Sequence, residues 1–417
     1  MKNILIRRVD NLGDIILVMP ALKLLCDHFK DANITLMVKP EHRVLVQQYT
    51  TAFLDPVPVK DLNALSNFYD HCINIEYSLP ENHKHITKAL PKIVHIGGMK
   101  RRRPLHISKV LTHALKASGF KGSHRKQKLI IHNSAKAAAT LWLKKNNIHP
   151  SQNLLISLDP NSGFEKKAWI LSGFIKVCRY LIKAFNATII IPTASPKNER
   201  VMRLKKSLPA NKCFILSGKP LDEVAAILMK CDLHVGNDSG IGHLADAVNI
   251  PTVTIFGPTD PFLWKPAGKK SIVVVKPEND CPGGYEHALE CKIQKCLTGI
   301  TPEEVIDGIL YALTKYASQH KLFSLTDFKV SENLSITRKS KGIVLQNTIT
   351  EHACLIEHGW PAIKLLLKEI RETQTIRSVL INQPHQKALF DMLIMHRFLV
   401  PFPAGPVFND KSFRSLN

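Results

Sequence analysis

The sequence has no uninterrupted apolar run near the roughly 20 residues that a membrane-spanning helix needs. Its most apolar stretch near the start, residues 15–26, is broken by Pro20 and Lys23. Arg7 and Arg8 precede that stretch as they would in a secretion signal. However, Asp10 and Asp14 stand where the apolar part should begin, and no small-residue cleavage site follows, so the start reads as mature, folded and cytoplasmic. Acidic residues are scarce, 34 against 57 Lys and Arg, which leaves a net charge of +23. Such an excess attracts nucleic acid, anionic headgroups or phosphorylated substrates, or simply keeps the surface soluble, and charge alone does not choose. The spacings that mark RRM, KH or zinc-finger modules are missing, so a nucleic-acid partner is not expected. The nine cysteines are odd in number and scattered, which excludes a disulfide scaffold and fits reduced thiols. Cys281, Cys291 and Cys296 have no clear fourth ligand, so a local structural role is expected there and no metal.

With 417 residues, 45% of them hydrophobic and 22% charged, the chain is globular and too long for one ordinary core. Its first part alternates strand-like and helix-like segments. Residues 3–9 read as strand, 15–29 as helix, 34–38 as strand, 41–52 as helix and 72–75 as strand. Residues 76–108 break the pattern with Pro80, Pro91, Gly97, Gly98 and Pro104, and they carry the basic run Lys100, Arg101, Arg102, Arg103. A second basic stretch holds Lys121, His124, Arg125, Lys126 and Lys128.

The alternation restarts near residue 153. Strands are expected at 154–158, 188–191, 213–216, 233–236, 252–256 and 272–275, and helices from about 170 and at 197–207, 221–230, 241–248 and 302–316. Two doubly wound α/β units in tandem follow, at residues 1–150 and 151–318. Residues 319–417 form a small C-terminal extension, mixed or helical in pattern, with helix-like segments at 363–370 and 386–396 and an apolar stretch at 376–380.

Four loops at expected strand ends carry the chemistry. Asn11-Leu12-Gly13-Asp14 follows the first strand. Asp14 is either a helix cap or a carboxylate at the sheet's carboxyl edge, able to take a proton from an attacking hydroxyl. A helix start favours its ionised form and so weakens the base, while nearby anionic substrate groups act the other way. Asp159-Pro160-Asn161-Ser162-Gly163, followed by Lys166, Lys167 and Trp169, is an ordinary turn or a close approach for phosphate. It is not a Walker A loop, because the G-x-x-x-x-G-K spacing is missing. Gly236-Asn237-Asp238-Ser239-Gly240-Ile241-Gly242-His243 follows a strand and opens a helix. Its free N–H groups and the Ser239 hydroxyl suit a diphosphate. His243 can add a hydrogen bond and, if protonated, charge; the alternative is a capping Asp238 and a core His243. Phe256-Gly257-Pro258-Thr259-Asp260-Pro261 is a rigid loop on the same edge, structural or a pocket wall.

The joint order of these loops resembles glycosyltransferase family 9, the lipopolysaccharide heptosyltransferases, over residues 1–318. The resemblance rests on Asn11 to Asp14 with Pro20-Ala21-Leu22, on Lys167-x-Trp169, on Asp238-Ser239-Gly240-x-x-His243 and on Phe256 to Pro261. It implies a GT-B fold, two Rossmann-like domains facing across a cleft, with the acceptor at the first and the nucleotide sugar at the second. It implies inverting transfer of heptose from ADP-heptose to a lipid A–core saccharide, without cofactor or metal. Asp14 would be the base; Ser162, Lys167, Asp238, Ser239, Gly240 and His243 would meet the diphosphate, and Glu199 the ribose. Arg101, Arg102 and Arg103 would face the phosphorylated acceptor and the inner face of the inner membrane, as a peripheral contact. A relative that transfers a different sugar, or a catalytically idle one that acts as a binding or scaffold protein, are the alternatives.

Overall fold

The computed structural model describes residues 1–58, 61–76, 93–96, 105–122, 124, 128–152, 154–276, 291, 294–316 and the strand residues 326–330, 334–339, 342–347, 353–356 and 399–403. Short apolar runs build the first sheet: β1 (Asn3–Arg7), β2 (Asn33–Met37), β3 (Ala52–Leu54), β4 (His71–Ile75) and β5 (Ile93–Ile96), all parallel in the order β3-β2-β1-β4-β5. The second sheet, also parallel, contains β6 (Leu155–Asp159), β7 (Thr188–Pro192), β8 (Cys213–Leu216), β9 (Leu233–Asn237), β10 (Thr252–Phe256) and β11 (Ser271–Val275) in the order β11-β10-β9-β6-β7-β8. Every residue of β6, β7, β9 and β10 is buried. Burial on both faces is why these strands read as nearly unbroken apolar runs.

The longer helices are α1 (Leu12–His28), α2 (Ile107–Ala117), α3 (Asn133–Lys145), α4 (Leu171–Phe185), α5 (Glu199–Lys206), α6 (Leu221–Leu228), α7 (Gly240–Ala247) and α8 (Pro302–Tyr316). Two sheets of doubly wound topology are the α/β, GT-B arrangement expected from the sequence. Strand and helix positions in the second unit follow the expectation within one or two residues.

The first unit departs from it in two places. Residues 41–52, expected as one helix, are short helical turns (Pro40–His42, Arg43–Val46, Gln47–Tyr49) that run into β3. The Thr51 N–H and the Thr50 and Thr51 hydroxyls all donate to the Ile34 carbonyl, at 2.9, 2.7 and 3.0 Å, and so draw the chain onto the sheet edge instead. Within the stretch expected as loop, Ile93–Ile96 is strand β5, paired with Cys72 to Ile75 of β4. Four residues between Pro91 and Gly97 are too few to show a period. In the C-terminal extension the described residues are strands: β12 (Thr326–Val330) lies antiparallel to β16 (Leu399–Pro403), and β13 (Leu334–Lys339), β14 (Gly342–Asn347) and β15 (Ala353–Ile356) form an antiparallel meander. The stretches at 363–370, 376–380 and 386–396 lie outside the described residues.

Helix α1 is apolar almost all round, with Ile15 to Leu22, Leu24 and Leu25 buried. Such a helix has partners on several sides. Here its residues share one buried cluster with strands of the first sheet, with Val224 to Leu228 of α6 and with Leu244, Ala245 and Ala247 of α7. Helix α3, which precedes the second sheet in the chain, adds Ala135, Ala139 and Leu143 to the same cluster and packs on α6.

The starts of α1 and α7 touch. A Cβ on Gly240 would stand 2.7 Å from Leu12 Cβ and 3.1 Å from the Gly13 nitrogen, and a Cβ on Gly13 would stand 2.9 Å from His243 Cδ2. Glycine at both positions lets the two backbones approach. Gly240→Ala is expected to destabilise the protein by about 1–3 kcal/mol through overpacking. Gly163→Ala, where an added Cβ meets nothing within 4 Å, serves as the control. Equal denaturant midpoints for the two variants would mean that the α1–α7 contact is loose in solution.

Candidate functional site

Each sheet has a point where the order of strands reverses, between β1 and β4 in the first and between β6 and β9 in the second. Loops leaving the carboxyl ends of strands there diverge and open a crevice. Helix α1 starts just after β1 and α7 just after β9, so the contact of their first turns brings the two crevices together.

In the second unit, Asp238 follows β9 and is buried. Its Oδ2 accepts from Lys167 Nζ at 2.6 Å and from Thr259 Oγ1 at 2.8 Å. The three loops predicted to converge therefore do so on one carboxylate oxygen. Asp238 is thereby the counter-ion of Lys167, which suits it better than direct contact with a diphosphate, since a carboxylate accepts hydrogen bonds and repels anions. Asn237 ties the loops at the backbone: its Oδ1 accepts from the Trp169 N–H at 2.9 Å, and its Nδ2 donates to the carbonyls of Pro160 and Asn161 at 2.8 and 3.1 Å. Trp169 is fully buried, its indole N–H donating to the Ile300 carbonyl at 3.0 Å. Arg200 adds Nε to the Pro160 carbonyl at 2.8 Å and a bond from Nη2 to the Trp169 carbonyl.

Ser239 precedes α7 in extended conformation and does not cap it through its side chain. Its hydroxyl instead donates to Asp159 Oδ2 at 2.7 Å. The first N–H groups of α7 thus have no side-chain acceptor among the described residues, which gives an anion-seeking helix end beside Lys167. Ser162 is half-buried, with its Oγ 3.5 Å from the Phe164 N–H. Gly240 is the point of contact with α1.

His243 is buried, and its Nδ1 has no hydrogen-bond partner among the described residues. Burial lowers its pKa from the ordinary 6.5, against the pull of Asp238, Asp246 and Asp14. The ring is therefore neutral near pH 7, and it serves as a hydrogen-bonding group rather than the added charge the sequence allowed. It also lines a cavity of about 250 Å³ between the units, with Ile16, Pro20, His106, His124 and Asp246.

Asp14 sits in the first turn of α1. The helix begins after Asn11, so Asp14 is not the cap. Its Oδ2 accepts from the Asn11 N–H at 3.3 Å and its Oδ1 is 3.1 Å from Arg8 Nη2. Glu199 is not drawn into the cluster. It opens α5 at the same edge of the sheet, 88% exposed, with Arg203 at 3.9 Å. Arg101, Arg102 and Arg103 lie outside the described residues, as does Cys281. Cys291 and Cys296 are half-buried, and no group of three or more His, Cys, Asp or Glu among the described residues is placed to hold a metal ion.

Sequence reasoning passed over Arg8, Asp159, Asn237 and Thr259. All but Arg8 stand inside the quoted loops, and Arg8 was weighed only as part of a secretion signal. The signal for it was an arginine at a strand's carboxyl end with two aspartates following at i+2 and i+6.

The chain is similar to several known proteins. The family model for glycosyltransferase family 9 (heptosyltransferase) matches residues 97–292. A lipooligosaccharide heptosyltransferase 2 from Campylobacter jejuni (serotype O:2) is 25% identical over 321 residues, 71% of this chain and 93% of that protein. A protein of the same description from Haemophilus influenzae is 29% identical over 167 residues, 39% of this chain and about half (48%) of that protein. Among solved structures, a family 9 glycosyl transferase from Veillonella parvula superposes with a TM-score of 0.62 at 19% identity, covering 75% of this chain and 97% of that one. The E. coli ADP-heptose lps heptosyltransferase II superposes with a TM-score of 0.58 at 18% identity, covering 75% and 98%. Fold and crevice together define a protein of the GT-B class. Within that class, residues 97–292 are similar to glycosyltransferase family 9 (heptosyltransferase).

Asp159 supplies a test of the site's floor. Burial raises its pKa from 3.8 to about 6, against the hydrogen bonds from Ser239 and Asn161. The folded protein holds this proton more tightly than the unfolded chain, so ionising Asp159 costs stability. The cost is absent below about pH 4, grows as pH rises towards 6, and reaches about 3 kcal/mol at neutral pH. In Asp159→Asn the amide can donate to Ser239 Oγ and still accept from the Asn161 N–H. The variant should match the wild type near pH 4 and exceed its melting temperature above pH 7. A melting-temperature difference that stays constant across this range would show that Asp159 is ionised throughout.

Proposed function

We propose that this chain transfers heptose from ADP-heptose to a lipopolysaccharide inner-core acceptor, inverting the anomeric centre, with no metal taking part. The observation that carries the reading is the meeting of two helix starts, one bearing a carboxylate and the other not capped by the side chain of its Ser239. In this reading the donor diphosphate lies at the first turn of α7, beside Lys167. Asp14 lies across the crevice on α1. The acceptor hydroxyl attacks the anomeric carbon from the side opposite the diphosphate and gives its proton to Asp14. The bond from that carbon to the diphosphate oxygen breaks, and ADP leaves with the electron pair. Its growing charge is met by the α7 N–H groups and by the Lys167 ammonium, groups already oriented before reaction. Asp238 and Thr259 hold Lys167 in place until the diphosphate arrives. The neutral His243 supplies a hydrogen bond without adding a fixed charge.

The names of the Campylobacter and E. coli relatives support the sugar and the acceptor class. The acceptor is a phosphorylated, lipid-borne saccharide, which accords with the net charge of +23 and with the basic run Lys100 to Arg103. No helix among the described residues is long and apolar enough to cross a membrane. The contact we infer is peripheral, on the cytoplasmic leaflet.

Purified chain, ADP-heptose and a heptose-deficient lipid A–core acceptor give the direct test, with product mass as the readout. A product that is not one heptose heavier than the acceptor overturns the reading. Asp14→Asn should lower kcat by about two orders of magnitude or more while the ADP Kd is unchanged. Lys167→Ala should weaken ADP binding measured by calorimetry. An unchanged Kd would leave Lys167 as a structural partner of Asp238.

Replacing Arg101, Arg102 and Arg103 by Ser should reduce binding to anionic vesicles and raise the acceptor KM, leaving the ADP Kd alone. Vesicle binding that survives both high salt and the triple change would exclude this run as the docking site.

A further inference from the structure

Arg8 immediately follows β1, and its side chain is 2% exposed. Its backbone N–H donates to the Met37 carbonyl at 3.0 Å and its Nη1 to the Ile75 carbonyl at 3.0 Å, so it is pinned to β2 and β4, the neighbours of β1 on either side. The rest of the guanidinium faces two carboxylates: Nε is 2.9 Å from Asp10 Oδ2 and Nη2 is 3.1 Å from Asp14 Oδ1. Asp14 Oδ2 takes the Asn11 N–H, while Oδ1 has the guanidinium charge 3.1 Å away as an ion pair.

Burying a guanidinium costs several kcal/mol of hydration, and a paired charge in such a place is weak evidence of a stabilising role. A rigid planar fork joined to the central strands does, however, fix where a carboxylate points. Asp14 stands in the first turn of a helix, where its own rotamer freedom would otherwise let it turn away from the crevice.

We propose that Arg8 is a positioning residue for Asp14, and that Asp10 shares the charge of Arg8 so that Asp14 is oriented without being neutralised as a base. This rests on the reading of Asp14 as the proton acceptor. The division of labour follows from charge: one guanidinium against one carboxylate would leave a fully compensated and weak base, whereas one against two leaves a net negative pair. Burial pushes the Asp10 carboxyl up and Arg8 pulls it down, with Asp14, Glu76 and Arg7 also acting on it. The other titratable groups that sense Asp14 are His42, behind the start of α1, and His243, across the contact on α7.

Four variants separate the possibilities in the heptose-transfer assay: Arg8→Gln, Arg8→Lys, Asp10→Asn and Asp14→Asn, with Arg8→Gln also made in the Asp14→Asn background. Arg8→Gln should lower kcat by about 10- to 100-fold, as expected for misplacing a catalytic group, with the ADP Kd and acceptor KM unchanged. Arg8→Lys, which keeps the charge but reaches one carboxylate, should recover part of the loss. Arg8→Gln should move the acidic limb of the kcat–pH profile upward, and Asp10→Asn should move it downward. In the Asp14→Asn background, Arg8→Gln should cost no further activity. A purely structural Arg8 would cost the same factor in both backgrounds and leave the acidic limb in place, and that result overturns the inference. If Arg8→Gln fails to fold, the opposite limb shift in Asp10→Asn and the partial activity of Arg8→Lys still decide it. Asp14→Asn with full turnover would instead overturn the reading of Asp14 itself.

Discussion

The site depends on one steric constraint, the passage of Gly13 against Gly240. Two helices that belong to different sheets meet at their first turns, with no room for a methyl group on either backbone. Helix starts are short of acceptors and carry positive partial charge, so bringing two together is unfavourable unless negative groups stand nearby. Around this contact stand Asp14 on α1 and Asp238 just ahead of α7, with Asp159 on the neighbouring strand. A carboxylate-lined meeting of two helix ends is thus a consequence of the packing before any substrate is considered.

The same solution is used twice. In the second unit the buried or half-buried charges are Lys167 and Asp238, joined by Thr259. In the first they are Arg8, Asp10 and Asp14. Both clusters sit at the reversal point of their sheet, where diverging loops leave backbone groups and side chains unscreened by neighbouring strands. A buried cation next to a carboxylate is tolerable only with close geometry. The difference between the two clusters is function-bearing. A primary ammonium on a flexible stem can leave Asp238 for an anion, whereas Arg8 is held by its backbone N–H to β2 and by Nη1 to β4, and stays.

Much of this was legible in the sequence where local chemistry decides structure. Strands buried on both faces, such as Ile189 to Ile191 or Val253 to Phe256, announce themselves as apolar runs bounded by turn residues. Gly240 and Ser239 after Asn237 announce a loop opening a helix. What failed did so for reasons of distance in the chain. Residues 41–52 have a helix-like composition, but the bonds from Thr50 and Thr51 to Ile34 cannot be read locally. The strand Ile93–Ile96 exists because β4 offers it an edge. The pairing of Lys167 with Asp238 and the anchoring of Trp169 by Asn237 are contacts across about 70 residues of chain, and the neutral state of His243 follows from its burial. Loop order predicted that these loops share an edge; it did not predict which oxygen each would claim. Arg8 was passed over because it was read, with Asp10 and Asp14, only against a secretion signal.

These electrostatics also bear on when the site is complete. With Lys167 paired to Asp238, the start of α7 holds little net charge, and the neutral His243 adds none. A diphosphate entering there brings negative charge to the two helix ends and competes with Asp238 for Lys167. Its presence simultaneously raises the negative potential at Asp14, across the Gly13–Gly240 contact. A carboxylate in a more negative field holds a proton more readily. In the function proposed above, donor binding would therefore strengthen Asp14 as a base at the moment an acceptor hydroxyl needs one. The coupling needs no movement of either unit. It follows from the short distance that two glycines permit.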